Sequence, residues 1–224
     1  AETDPARQRA LLEEAAQTIV TQRWRVLAAL GEALSRDGDW AGAAARYQEA
    51  LLAIEEGPGA PPPAAAVRRL LDRANASRAL APTYTRALRT RSGAPGGIAA
   101  RSIGGVEIDV VPFPVEFDTD RAEITERGRA AAEDMAGIVR DQGLVAFTLV
   151  GHTDGRGSAD YNRALSLRRA EAVAAALRAL GVTARITVEG AGEDRPAEID
   201  DPTLYSQEER WQIMRRVELV RGGG

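Results

Sequence analysis

Near residue 100 the hydrophobic period of this chain changes, and a chain written in two periods cannot form one uniform layer. Upstream, Leu12, Ala16, Ile19, Val26, Leu27, Leu30 and Leu34 recur at helical spacing, and only Gly31 interrupts the run from Pro5 to Asp37. This predicts one long helix or two collinear ones. In Asp37-Gly38-Asp39, Gly38 suits the left-handed position that ends a helix, and Asp39 suits the cap of the next. That next helix runs to Glu56 as the second arm of a helical hairpin. Beyond the breaker Gly57 to Pro63, the stretches Ala64 to about Leu80 and Thr83 to Thr90 read as helical again, with Pro82 marking a kink or a new start. Ser92-Gly93-Ala94-Pro95-Gly96-Gly97 has the small, flexible composition of a linker. The expected organisation is a helical domain over residues 1–91, a linker over 92–105 and a second domain over 106–221.

Downstream, strands and helices alternate. Val106 to Phe117 is rich in β-branched and aromatic residues, while Pro112 and Pro114 restrict it to a sheet edge or a bulge. Thr125 opens a helix to about Asp141, closed by Gly143. Val145 to Val150 is short and apolar enough for a central strand. Asn162 to Leu180 is a helix closed by Gly181, and Arg185 to Glu189 and Arg216 to Val220 supply two more strands. The order β-α-β-α-β-loop-β points to an α/β sandwich with two helices on one face of a four-stranded sheet, preceded by an all-helical domain. In the helical half, Leu27, Leu30-Gly31, Leu34, Gly38-Asp39-Trp40, Ala43, Tyr47 and Ala50 resemble one tetratricopeptide repeat. No second copy follows at the repeat distance, and an ordinary helical bundle stays open as the alternative.

Composition excludes several chemistries. Cysteine is absent, which removes disulfides, thiolate metal sites and a Cys nucleophile. Every one of the 29 basic residues is Arg, so Schiff-base chemistry and a Lys-dependent P-loop are excluded too. His152 is the single histidine. The net charge is -4, with 13 Arg against 11 acids in residues 1–100 and 16 against 22 in residues 101–224. Neither half is a polybasic arm, and no nucleic-acid partner is expected. There is no Gly-x-Ser-x-Gly elbow and no outstanding carboxylate pair, so no enzymatic activity, cofactor or metal is expected. No stretch approaches the roughly 20 uninterrupted apolar residues of a membrane helix. Membrane association is therefore expected only through an anchor outside these residues.

Between the second strand and the second helix of the later half lies Gly151-His152-Thr153-Asp154-Gly155-Arg156-Gly157, followed by Asn162, Leu165-Ser166 and Arg169-Ala170. A strand end followed by a glycine loop places Asp154 at the sheet rim, near the N–H donors of a helix start. Arg169 lies two turns beyond Asn162 on the same side and can lean back toward that rim. One carboxylate and one guanidinium at a rim suit a zwitterion with an ammonium and a carboxylate. With Phe117-Asp118 upstream, Gly190-x-Gly192 and Pro196 downstream, and Arg215-Arg216-Val217-Glu218 near the end, residues 106–221 resemble the OmpA-like peptidoglycan-binding domain. The resemblance implies that the ligand is the free end of a diaminopimelate side chain in a peptidoglycan stem peptide. Asp154 then takes the ammonium and Arg169 forks onto the carboxylate. Asn162, Thr153, Leu165 and Asp118 match further positions that line the site in the family. It also implies a cell-envelope, outer-membrane-associated location, with the N-terminal helices free to hold an envelope protein.

Other roles stand beside these. Asp154 and Arg169 could pair with each other to fix the loop on the helix. Asn162 is also a natural helix N-cap. His152 is expected to pack the loop. Arg215 and Arg216 are expected to give one exposed charge and one inward ion pair. Asp118, Asp120 and Glu123 resemble the start of a divalent site, yet capping beside Thr125 suits them better. Met214 stands where the family commonly carries an Asn, and Asp200 to Trp211 is an acidic insert that either covers the site or forms an extra helix.

Overall fold

A computed structural model describes residues 4–18, 22–117 and 121–222, and the chain divides into two compact units, Ala1–Ile108 and Asp109–Gly224. The first unit holds α1 (Pro5–Thr18), α2 (Arg23–Arg36), α3 (Trp40–Glu56) and α4 (Ala64–Leu80). A 3-10 turn (Gly97–Ala99) and a two-residue antiparallel ladder of β1 (Ser102–Ile103) with β2 (Val106–Glu107) complete it. The first two helices are not collinear. Arg9 of α1 pairs with Asp37 beyond the end of α2 at 3.1 Å, and Arg23 Nε donates to the Ala16 carbonyl at 3.0 Å, contacts that require the chain to reverse between them. Gln22, just before α2, has φ 61°, a left-handed conformation that no helix can run through. Ile19, part of the apolar run, lies outside the described residues.

The hairpin of α2 and α3 forms as expected. Gly38 has φ 76°, and the Asp39 carboxylate accepts from the Gly42 N–H at 2.9 Å. The two helices approach so closely that a Cβ on Gly31 would sit 2.7 Å from the Tyr47 ring. Leu27, Leu30, Tyr47, Leu51 and Val67 are buried around that contact.

Two expectations for this half are corrected. Thr83 to Thr90 is not helical, because Ala81 turns extended after α4 and the strand-like stretch beyond it is tied to a buried guanidinium. Arg78 is fully buried, donates to the Thr85 carbonyl at 3.1 Å and to the Tyr84 hydroxyl at 2.8 Å, and lies over the Tyr84 ring. Tertiary contacts here outweigh local helix preference. Nor is 92–105 an open linker. Pro95 to Ala100 are buried, the Gly97 N–H donates to Glu55 at 2.9 Å, and Ile98, Ile103, Val106 and Ile108 join the core of the helical unit. The alanine-rich helices lack bulk of their own, and these side chains supply it.

The second unit holds β3 (Val110–Phe113), α5 (Glu126–Asp141), β4 (Ala146–His152), α6 (Ala159–Ala179), β5 (Arg185–Gly192), α7 (Gln207–Met214) and β6 (Val217–Arg221). Its mixed sheet has the order β3-β6-β4-β5, with β4 parallel to β5 and β6 antiparallel to both neighbours. Pro112 thus sits on an edge strand, where its missing N–H costs no ladder bond, and the apolar β4 is central. The single strand expected over 106–117 is two, β2 and β3, in different units. Phe113, Met135, Leu149, Leu177 and Leu219 fill the core. The insert is an extra helix: Ser206 and Glu209 form a reciprocal capping box that starts α7. Among the described residues no helix is long and apolar enough to cross a membrane.

Candidate ligand site at the junction of β4 and α6

Two glycines set this site. A Cβ on Gly151 would lie 2.1 Å from the Ser166 carbonyl oxygen, and one on Gly190 would lie 2.5 Å from that of Arg163. The backbone of α6 therefore rests directly on the ends of β4 and β5. Ser166 Oγ accepts from the Gly192 N–H at 2.9 Å and pins the helix there. Ser158, not Asn162, is the N-cap, accepting from Tyr161 N–H at 3.3 Å. The helix starts three residues earlier than the apolar pattern indicates, because capping chemistry rather than hydrophobicity decides its first turn.

Asn162 is thereby carried inside the first turns and is buried. Its Nδ2 donates to the Asp154 carbonyl at 3.3 Å and to Glu193 Oε2 at 2.7 Å, joining the β4 loop to the loop after β5. Thr153 and Leu165 are buried too. The Thr153 N–H donates to the Gly192 carbonyl at 2.9 Å, while its buried hydroxyl has no hydrogen-bond partner among the described residues. Asp118 and Asp120 lie outside the described residues. Glu123 is exposed, Thr125 caps α5 through the Gly128 N–H at 3.2 Å, and among the described residues no group of three acidic or histidine side chains is placed to hold a metal.

Asp154 and Arg169 are both buried, at 6% and 7% exposed, and each is engaged. Arg169 Nε donates to the Arg121 carbonyl at 3.1 Å, and its guanidinium lies over the Phe117 ring at 5.0 Å, so it ties α6 to the β3–α5 connection. Asp154 accepts from Arg156 at 2.8 Å and 3.0 Å and from Arg215 at 2.7 Å. Burial alone would raise its pKa, but these hydrogen bonds outweigh it and hold the carboxyl at about 2.

Arg156, Arg215 and Glu193 also belong to the site, beyond the residues that the sequence pattern indicates. Arg156 was accessible, since an Asp bonding the chain two residues on is a turn signature. Arg215 follows Asp154 by 61 positions, and no local pattern reports such a contact. Of the arginine pair, Arg216 is the inward one, 2.7 Å from Glu218. His152 is buried behind the site with Nε2 3.1 Å from the same carboxylate. Burial opposes ionisation of Glu218, yet His152 and Arg216 hold its pKa below the ordinary value. Met214, in place of the family's Asn, presents its sulfur to the Ala197 N–H at 3.2 Å.

The sequence pattern of the OmpA family matches residues 116–210, which span this junction. Residues 116–210 are an OmpA family domain. Outer membrane porin F of Pseudomonas aeruginosa is 36% identical over 114 residues, 50% of this chain and 31% of that protein. The peptidoglycan-associated lipoprotein of Agrobacterium fabrum is 34% identical over 109 residues, 48% of this chain and 58% of that protein. A solved peptidoglycan-associated lipoprotein from Burkholderia pseudomallei is 31% identical, covering 48% of this chain and 88% of that one, at TM-score 0.41. The chain spans less than two thirds of the first curated relatives it matches, from 14% to 58% of their lengths. An OmpA family domain is a non-enzymatic module.

Proposed function

We propose that this protein is a non-catalytic cell-wall anchor of the cell envelope. Its OmpA domain binds the diaminopimelate part of the peptidoglycan stem peptide without a covalent bond. Asp154 receives the ammonium, Arg169 forks onto the carboxylate, and Asn162, Thr153, Leu165 and Asp118 line the site. The observation that carries this reading is the pair of buried charges on either side of the β4–α6 junction, inside an OmpA family domain. Burying a carboxylate and a guanidinium at a rim costs desolvation that an open surface would avoid, and a zwitterionic ligand gives them a use. The unpartnered Thr153 hydroxyl adds an unspent polar atom at the strand end. The N-terminal helical unit serves as the docking arm for an envelope protein.

A second reading has its own observation. Both oxygens of Asp154 are already bonded to arginines of this chain, as a purely structural carboxylate would be. In that case the protein is a helical interaction scaffold whose OmpA domain no longer binds peptidoglycan.

Retention on diaminopimelate-type sacculi separates the two. Asp154→Ala and Arg169→Ala each remove a charge-assisted contact of about 1.5–3 kcal/mol. Affinity falls about tenfold to a hundredfold, since 1.4 kcal/mol is tenfold. Arg169→Lys also binds poorly, because an ammonium cannot reproduce the fork. The control, Arg168→Ala, changes an exposed neighbour and matters little. Binding by neither parent nor variants establishes the scaffold reading. Full binding by both alanine variants sinks the residue assignment.

A further inference from the structure

The two cations on Asp154, Arg156 and Arg215, belong to the protein itself. Arg156 spans the carboxylate, with its N–H and Nε on Oδ1 at 3.1 Å and 3.0 Å and Nη2 on Oδ2 at 2.8 Å. The Asp154 side chain is 8% exposed and that of Arg156 is 52% exposed, so the anion sits behind and the cation at the mouth. Arg156 stands between Gly155 and Gly157, in the loop outside both β4 and α6. Arg215, the other donor to Asp154, adjoins the start of β6, is the less exposed of the two at 30%, and has its guanidinium 3.7 Å from Glu208 of α7. The guanidinium of Arg156 rests 4.5 Å above the ring of Trp211, which is carried by α7. A helix inserted between β5 and β6 thus supplies the surface on which the arginine is parked.

We propose that Arg156 is an internal competitor for the ligand's ammonium. It holds the Asp154 carboxylate in the free protein, turns out to solvent when ligand enters, and Trp211 sets how firmly it stays. The inference rests on Asp154 being the ammonium acceptor. A guanidinium and an ammonium seek the same oxygens, and each bond the ligand makes there replaces one already made. The carboxylate is thereby kept paired between ligands. It also discriminates, because only a cation able to give several hydrogen bonds at once displaces the two-pronged one already present. Affinity is lower than an unoccupied carboxylate would give, and the insert helix sets the difference.

Calorimetry on the full chain tests this with a muramyl tripeptide ending in diaminopimelate, and with the same peptide acetylated on that terminal ammonium. Arg156→Ala is expected to bind the free peptide about threefold to fivefold tighter, the upper part of the range for losing a half-exposed charged pair. Arg156→Gln and Trp211→Ala should tighten it in the same direction and by less. The acetylated peptide should show no such gain. Arg163→Ala, which removes an equally exposed charge paired with Asp194, should leave affinity within about twofold. If the parent binds and Arg156→Ala binds equally or more weakly, Arg156 is a wall or a ligand contact and the inference is overturned while the binding reading stands. A gain that persists with the acetylated peptide, or that Arg163→Ala reproduces, overturns it as well. If neither the parent nor any Arg156 variant binds the free peptide, the binding reading fails and takes the inference with it.

Discussion

At the residue scale the site is governed by how its buried polar atoms are satisfied. Asp154 has its carboxyl held at about 2, against an ordinary 3.8. A depressed carboxyl contributes stability that is complete above the ordinary value and disappears as pH falls through about 2. The contribution is about 1–2 kcal/mol once the solvent exposure of Arg156 is discounted. Urea melts of the parent and of Asp154→Asn should therefore differ most near neutral pH and converge between about pH 4 and pH 2. A gap that stays constant with pH contradicts the assignment. Thr153 offers the converse case. Its hydroxyl is buried and meets no partner among the described residues, so Thr153→Val should leave the free protein unchanged or about 1 kcal/mol more stable. The same change should weaken retention on sacculi if the hydroxyl meets the ligand. A loss of stability without a loss of binding would place its partner within the protein.

At the element scale the decisive contact is α6 against the glycine ends of β4 and β5. Gly151→Ala pushes a methyl group into the Ser166 backbone, which has no rotamer with which to yield, and should cost about 1–3 kcal/mol or more and loosen the Asn162 bridge. Gly137, in the middle of α5, has open space where a Cβ would go. Gly137→Ala should therefore stabilise by about 0.5–1 kcal/mol, through helix propensity alone. Thermal melts of the two variants should move in opposite directions, and shifts of the same sign would mean that the packing of α6 does not set the site. Much of this layer was legible: the caps Asp39 and Thr125, the edge prolines and the central β4 all follow from short-range rules. The capping box of α7 was legible too, since Ser206 and Glu209 have the right spacing, although that stretch reads first as an acidic insert.

At the scale of the whole molecule the division falls between Ile108 and Asp109, not within the glycine-rich stretch. Ile98 and Ile103, at 1% and 0% exposed, close the helical unit. A fragment of residues 1–92 should thus melt well below one of residues 1–108, because each buried isoleucine contributes about 1.5–3 kcal/mol. A fragment of residues 109–224 should unfold cooperatively by itself. Equal melting temperatures for the two N-terminal fragments would restore 92–105 as a linker. Composition misled here for a physical reason: glycine and proline mark irregular backbone, but they do not say whether that backbone is buried.

The alternation of strands and helices in the second unit, the strand at the edge, the caps at Asp39 and Thr125 and the family of residues 116–210 were determined by the sequence alone, because each depends on neighbours within a few positions or on a motif in fixed order. The reversal between α1 and α2, the burial of 95–100, Ile103, Val106 and Ile108 in the helical unit, and Arg215 on Asp154 were decided only in the tertiary structure. Those features depend on which surfaces meet. A guanidinium 61 residues away from its carboxylate is chosen by the closing of β6 beside β4, and that closing is a property of the folded sheet rather than of any segment of it.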